Sequence, residues 1–327
     1  MTAKRKKLLK IILIPLAVIV VLIGGIYGGI FLSDRIVEKN YTKTLNDAGI
    51  FSAGQDANNP RPQTELAQIM WEHFNSPLLE GKTAKKALII GLDGTRSDAL
   101  ANAVNPDESG ILTLKAQGGV YPFYAGGAAG LEQGTWTASG WASLLTGKWA
   151  DEEGGHNVHD NSESKAIEPK TVFTRLIEAG KIKSANFTVS WKGHLLEQGK
   201  TYAAEAEYTA KNGLDVVWQT ATNDATTFAG AKAQIEQGRD FIFLILEYCD
   251  HAGHLTSFGN KNPSYRQAFL TADAQAKRLI DTVAARPEYD KEDWLILITT
   301  DHGGLGISHG GQSSFERNVF AACNKPL

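Results

Sequence analysis

The chain has 327 residues, 43% hydrophobic and 21% charged, an ordinary globular composition. Its net charge of -3 gives no electrostatic basis for nucleic-acid binding, which calls for basic patches. Its two cysteines, Cys249 and Cys323, are too few for a disulfide framework and stand either free or in one bridge.

Lys4, Arg5, Lys6, Lys7 and Lys10 precede an uncharged run from Ile11 to Ser33. A helix of that length spans about 30 Å of bilayer hydrocarbon. The basic cluster before it, and the mixed Asp34, Arg35, Glu38 and Lys39 after it, put the N-terminus inside the cell. The competing reading is a cleaved signal peptide, whose apolar core runs about 7–15 residues to a small-residue cleavage site. This run is longer, and no Ala-x-Ala follows it. The sequence therefore predicts a cytoplasmic tail over 1–10, one transmembrane helix over 11–33 and an extracytoplasmic remainder held at the cell membrane. Gly24, Gly25, Gly28 and Gly29 form two overlapping small-xxx-small pairs, a face on which two such helices would pack as a homodimer.

Residues 34–84 read as a stalk. Asp56-Ala-Asn-Asn-Pro-Arg-Pro62 is turn composition. Glu65 to Phe74 has helical spacing, with Leu66, Ile69 and Met70 on one face and His73 expected at the surface. The catalytic part is expected over 85–327. Ala87-Leu-Ile-Ile-Gly-Leu92 has the continuous apolar pattern of a buried strand, and Asp93 follows at its end. Alone, an Asp before Gly is a turn residue. Asp98 is expected to cap or decorate the helix that follows.

Gly134 to Gly147 contains a helix, with Trp141, Leu144 and Leu145 at helical spacing. Thr137 falls near its start, where unpaired N–H groups and the helix dipole favour an alkoxide and a phosphate. The simpler reading makes Thr137 or Ser139 an N-cap. Residues 151–171 are polar and loop-like, with His156, His159 and Asp160. Beyond them come a helix over 171–179, a strand over 184–190 and a helix over 225–237. Asp240-Phe-Ile-Phe-Leu-Ile-Leu-Glu247 is a second buried strand, leading into Tyr248-Cys-Asp-His-Ala-Gly-His254. Asp250 and His254 are metal-type groups there, with His251 read as a loop residue and Cys249 as a buried apolar one. A helix over 263–284 leads to the third strand, Trp294-Leu-Ile-Leu-Ile298, and to Thr299-Thr-Asp-His-Gly-Gly-Leu-Gly-Ile-Ser-His-Gly-Gly311. Arg317 to Cys323 completes the pattern as a last strand. This alternation predicts one α/β domain with a mostly parallel sheet flanked by helices.

Three strand ends thus carry Asp93, Asp250 with His254, and Asp301-His302 with His309. Ligands of open α/β sheets sit at such ends. Three aspartates and three histidines suffice for two divalent metals, zinc being suited to this donor set, each with three protein ligands and an open position. Two metals can clamp the attacking and leaving oxygens of a phosphoryl displacement.

Asp93-Gly-x-Arg-x-Asp98, Thr137 with Gly140-Trp-x-Ser-Leu-Leu-Thr-Gly147, Asp250-x-x-Gly-His254, and Thr300-Asp-His-Gly-Gly304 with His309-Gly-Gly311 resemble the alkaline phosphatase superfamily. The closest branch is that of type I phosphodiesterases and nucleotide pyrophosphatases. The resemblance implies that Asp250, His254 and His309 hold one zinc, and that Asp93, Asp301, His302 and Thr137 hold the other. It further implies that Thr137 attacks phosphorus and forms a phospho-threonine, with Thr135 as the fallback nucleophile. The family's diesterases often place an asparagine near the nucleophile, and Ala138, Ser139 and Gly140 supply none. His156-Asn-Val-His-Asp-Asn161 is similar to the family's His-Gly-Val-x-Asp-Asn loop.

The function implied is a membrane-anchored, metal-dependent phosphohydrolase acting on phosphodiesters or phosphomonoesters of nucleotides or lipid headgroups. A sulfatase would need Cys or Ser in a Cys/Ser-x-Pro-x-Arg context, and Thr137-Ala-Ser-Gly-Trp141 has neither Cys nor Pro nor Arg. The alternatives are an envelope phospho-headgroup transferase and a non-catalytic metal-binding anchored protein. Trp136, Trp141, Trp149 and Trp191 are candidates for stacking on a base or headgroup, or for the core.

Overall fold

The computed structural model describes residues 38, 40–161, 169–191, 195–197 and 200–327. The expected basic tail and transmembrane helix over 1–33 lie outside these residues. Among the described residues no helix is long and apolar enough to cross a membrane.

Residues Thr42–Leu327 form one compact unit around an eight-stranded sheet of order β1-β3-β10-β9-β2-β8-β6-β7. The strands are β1 (Arg61–Pro62), β2 (Ala84–Leu92), β3 (Gly119–Tyr124), β6 (Ser184–Val189), β7 (Asp215–Thr220), β8 (Phe241–Leu246), β9 (Glu292–Thr299) and β10 (Asn318–Cys323). β4 (Gly127–Ala128) and β5 (Leu131–Glu132) make a separate small hairpin. Neighbours pair in parallel except at β10, which runs antiparallel to both β9 and β3. The expected sheet is therefore correct in kind, with the last strand as its antiparallel exception.

The three apolar runs read as buried strands are the centre of this sheet. β2 lies between β9 and β8, and from Ala87 to Leu92 every residue of β2 is buried. β8 and β9 are buried along their whole length. Strands apolar on both faces can sit only where helices cover both faces. Register puts Leu92 beside Leu246 and Gly91 beside Thr299, so the three chains leave the sheet together.

The covering helices are α2 (Glu65–Asn75), α3 (Gly110–Gln117), α4 (Thr137–Thr146), α5 (Val172–Glu178), α6 (Ala203–Lys211), α7 (Asp224–Glu236), α8 (Tyr248–Thr256) and α9 (Pro263–Ala284), with α1 (Tyr41–Asp47) preceding them and α10 (Ser314–Arg317) closing the series. α4 is buried at every position. Its Trp141 lies flat on β2 because residue 91 is glycine: a Cβ there would stand 2.5 Å from the indole Cη2. Cys249 and Cys323 are both buried and free, so no bridge forms between them.

The stalk expectation does not survive from Thr42 onward. β1 pairs with β3, and α2 packs on α4, α5 and β2. Leu66 and Met70 are fully buried and Phe74 nearly so. His73 is not a surface residue either. It is buried, with Nε2 at 3.0 Å from the Lys86 carbonyl. The apolar stripe of α2 was legible, but the sheet face that receives it was not. Strand β7, absent from the sequence pattern like the helix α6 that packs on it, extends the sheet past β6. In β7 no residue is fully buried, which is why it lacks an apolar run.

Leu66→Ala in the full chain should lower unfolding free energy by about 2–5 kcal/mol, the cost of deleting a buried leucine. Urea denaturation measures it. A loss under about 0.5 kcal/mol, typical of an exposed position, would restore the stalk reading.

Candidate metal centre

Asp93 leaves the end of β2, Asp250 sits on the first turn of α8 beyond β8, and Asp301 lies two residues beyond β9. Because β9, β2 and β8 are neighbours, these carboxylates converge. Asp250 and His254 are one turn apart on α8, so both point the same way. His251, expected in a loop, is an exposed residue of the same helix.

The side chains separate into two groups, Asp250 with His254 and His309, and Asp93 with Asp301 and His302. Within each group the ligand atoms lie within 4.8 Å of one another. The structure thus brings all six predicted aspartates and histidines together in the two expected groups of three. Thr137 joins the second group. It is the first residue of α4, 3% exposed, and its Oγ1 lies 3.2 Å from His302 Nε2.

Each carboxylate keeps one oxygen in reserve. Asp93 Oδ2 accepts from the Trp141 indole N–H at 3.1 Å, and Asp301 Oδ1 accepts from the Gly94 amide at 3.3 Å. Asp250 Oδ2 lies 3.4 Å from His254 Nε2. The other oxygens, Asp93 Oδ1, Asp301 Oδ2 and Asp250 Oδ1, are buried without a hydrogen-bond partner. A buried carboxylate oxygen left so is costly unless a cation meets it.

The histidines carry the complementary signature. Nδ1 of His254, His302 and His309 lies 2.8, 2.7 and 2.9 Å from the carbonyls of Ile307, Gly303 and Thr135. A carbonyl only accepts, so each Nδ1 bears the proton and each Nε2 presents a lone pair. That is the second-shell arrangement of metal-ligating histidine. Burial also holds the imidazoles of His302 and His309 neutral. It pushes His309 down to about 4 and His302 well below the ordinary value. It raises Asp93 and Asp301 well above the carboxylate range and Asp250 to about 6, with nearby carboxylates adding to the rise. Three crowded acids and three imidazoles that turn Nε2 inward fit two divalent cations.

The backbone makes room for this crowding. Gly94 has φ +63°, and a Cβ there would stand 2.9 Å from the Asp250 Cβ. Neither Thr137 nor Ser139 caps α4. The N-cap position is Trp136, without a side-chain cap bond. Ser139 Oγ donates to the Gly134 carbonyl at 2.8 Å. The amide of Ala138 is instead met by Asn161 Oδ1 at 3.0 Å. Asn161 lines the cleft of about 190 Å³ together with Asp93, Thr137, Trp191 and the Asp250 group. The asparagine missing from the residues after Thr137 thus arrives from the 151–161 loop. Thr135 is committed elsewhere: its Oγ1 donates to the Gly311 carbonyl at 2.8 Å and accepts from the Gly310 amide at 3.0 Å. It ties down the loop that carries His309. Of the tryptophans, Trp141 and Trp149 are core and Trp191 lines the cleft. Trp136 meets His309 edge-on at 5.2 Å.

Residues 87–319 match the type I phosphodiesterase / nucleotide pyrophosphatase family. The chain belongs to that family. The resemblance drawn from the motifs is borne out. No curated protein matches the chain significantly. Among solved structures, murine ectonucleotide pyrophosphatase / phosphodiesterase 5 is 15% identical over 68% of this chain and 57% of its own, with TM-score 0.44. The C-terminal periplasmic domain of the Campylobacter jejuni phosphoethanolamine transferase EptC is 15% identical over 74% and 80%, with TM-score 0.46. The lipoteichoic acid synthase LtaP from Listeria monocytogenes is 11% identical over 80% and 71%, with TM-score 0.45. The matched part of this chain spans little more than half the length of the murine protein.

Cation binding must displace protons from these acids. Zinc affinity at the Asp250 group should therefore fall as pH drops through about 6, where Asp250 protonates. The fall should approach about tenfold per pH unit for each proton displaced. His309, held near 4, stays a ligand across that range. Competition with a chelating dye between pH values of about 5 and 7 measures this. A flat affinity would overturn the assignment of these acids as ligands.

Proposed function

We propose that this protein is a two-metal phosphohydrolase that cleaves phosphodiesters through a covalent intermediate on Thr137. Its catalytic part would lie outside the cytoplasmic membrane, held there by residues 11–33. The observation that carries the reading is the pair of three-ligand groups at adjacent strand ends, with the Thr137 hydroxyl against the second.

Asp250, His254 and His309 would hold one divalent cation, zinc by the donor set, and Asp93, Asp301, His302 and Thr137 the other. Bound there, the two cations supply Lewis-acid stabilisation of phosphoryl charge and lower the pKa of a hydroxyl. The chain's own residues do the rest. The start of α4 aims the Thr137 hydroxyl into the cleft, where the helix dipole favours negative charge. In the first step a bond forms between Thr137 Oγ and phosphorus, and the hydroxyl proton leaves to solvent. The bond from phosphorus to the leaving alcohol breaks, and that alcohol takes up a proton. In the second step water opens the phospho-threonine and restores Thr137. Asn161, bound to the Ala138 amide, fixes the rim of the cleft beside the phosphate position. Trp141 and the Gly94 amide each fix one oxygen of an aspartate, so the acids need no reorganisation during reaction.

Zinc-loaded full-length protein in detergent should release nitrophenol from bis(nitrophenyl) phosphate faster than from nitrophenyl phosphate. Thr137→Ala should reduce diester turnover by about a thousandfold or more, as loss of a nucleophile does. Undiminished turnover in that variant would sink Thr137 as nucleophile. Monoester turnover alone would make the protein a phosphatase. Silence on both, with zinc bound, would favour transfer to an alcohol acceptor over hydrolysis. Topology is tested separately. Protease added to intact cells should digest the chain beyond Ser33, and full protection would overturn the outward placement.

A further inference from the structure

The metal cleft does not end at Asp250. It opens into a second hollow of about 470 Å³ that shares Trp191, Glu247 and His251 with it. The second hollow lies over the carboxyl ends of β6, β7 and β8, where open α/β sheets receive ligands. Its wall carries Asp224 and Glu247, only 6% and 5% exposed, beside the rings of Trp191 and Tyr248. Among the described residues, no lysine or arginine lines it.

The two carboxylates are only partly met from within the chain. Asp224 Oδ1 accepts from the Glu247 amide at 2.8 Å. Glu247 Oε2 lies 3.4 Å from His251 Nε2, on a side chain 67% exposed. The Ser190 hydroxyl and the Trp191 amide also favour the ionised form of Glu247, while Glu247 Oε1 is buried without a hydrogen-bond partner. Burial raises both carboxyl groups above their ordinary range, Asp224 to about 6.

We propose that this hollow binds an ammonium group carried by the substrate, making the substrate a phosphodiester of an amino alcohol. The inference rests on the phosphodiesterase reading and names its substrate class. The ammonium supplies the charge that Glu247 and Asp224 lack, and its alkyl shell packs on the indole face of Trp191, the preferred partner of such cations. A further phosphate, as in a nucleoside polyphosphate, meets two carboxylates instead. A third divalent metal is a poorer match, because Asp224 and Glu247 are the only carboxylates on the wall and the rings of Trp191 and Tyr248 stand beside them, short of the six to eight oxygens a hard cation gathers.

The test is calorimetric binding to the zinc-loaded full-length Thr137→Ala protein, in which the ligand stays intact, at about pH 8, where free carboxyls are ionised. The probes are nitrophenyl phosphorylcholine, nitrophenyl phenyl phosphate and the nitrophenyl ester of thymidine monophosphate. The choline ester should bind about tenfold tighter than the phenyl ester or better, and adding Glu247→Gln should remove most of that preference. Trp191→Leu, at a partly exposed ring, should act in the same direction and serves as the second variant if Glu247→Gln does not fold. Equal or weaker binding of the choline ester overturns the proposal, as does tightest binding of the nucleotide ester. Loss of a third metal equivalent in Glu247→Gln also overturns it, since Glu247 would then be a metal ligand. Selective binding of the choline ester with no turnover in the wild type would sink the phosphodiesterase reading and leave the ammonium site standing.

Discussion

The constraint on which the rest of this structure depends is the convergence of Asp93, Asp250 and Asp301 at the ends of three adjacent strands. Each keeps a buried oxygen without a hydrogen-bond partner. Like charges at this range in a desolvated site oppose ionisation, and each carboxyl is raised accordingly. The Trp141 indole and the Gly94 amide offset this only in part, and the three facing imidazoles turn Nδ1 away onto carbonyls. The apolar strands, the covering helices and the short turns together stabilise an arrangement that is unfavourable by itself. Such local conflicts with general folding rules mark functional sites.

Two features carry that burden. The first is the seat of α4 on β2. Gly91 lets Trp141 lie against the strand, and the same indole then donates to Asp93. Helix position and carboxylate orientation are therefore one packing event, which also delivers Thr137 to the cleft. The second is the segment after β9. Thr135 binds it at Gly310 and Gly311, and the Thr135 carbonyl orients His309. A threonine that sequence spacing offers as a spare nucleophile is thus a clamp for a ligand loop.

The central strands and their terminal acids were legible because burial on both faces leaves an uninterrupted apolar run, and because the ligands follow within a few residues. What pairs one strand with another leaves no comparable mark. β1 is two residues long, and no residue of β7 is fully buried. Both are recruited by hydrogen bonding to a neighbour rather than by their own composition. α2 shows the same limit. Its stripe of Leu66, Ile69 and Met70 was visible, yet a stripe does not say whether it meets the chain's own core. His73 was misplaced for that reason. Asn161 stands 24 positions beyond Thr137 and meets the Ala138 amide only through the path of the 151–161 loop. Distance along the chain hid a contact that local motif spacing could not report.

The junction of β8 and α8 ties the two halves of the cleft together. Glu247 closes the strand, and Asp250 lies one turn further along the helix. The Glu247 amide is bound by Asp224 at the start of α7. Any shift of that junction moves a metal-type ligand and the acidic wall of the second hollow at once. The start of α4, by contrast, is fixed from another direction, by Trp141, Ser139 and Asn161. Thr137 is thus held independently of Asp224 and Glu247, the acidic residues of the second hollow.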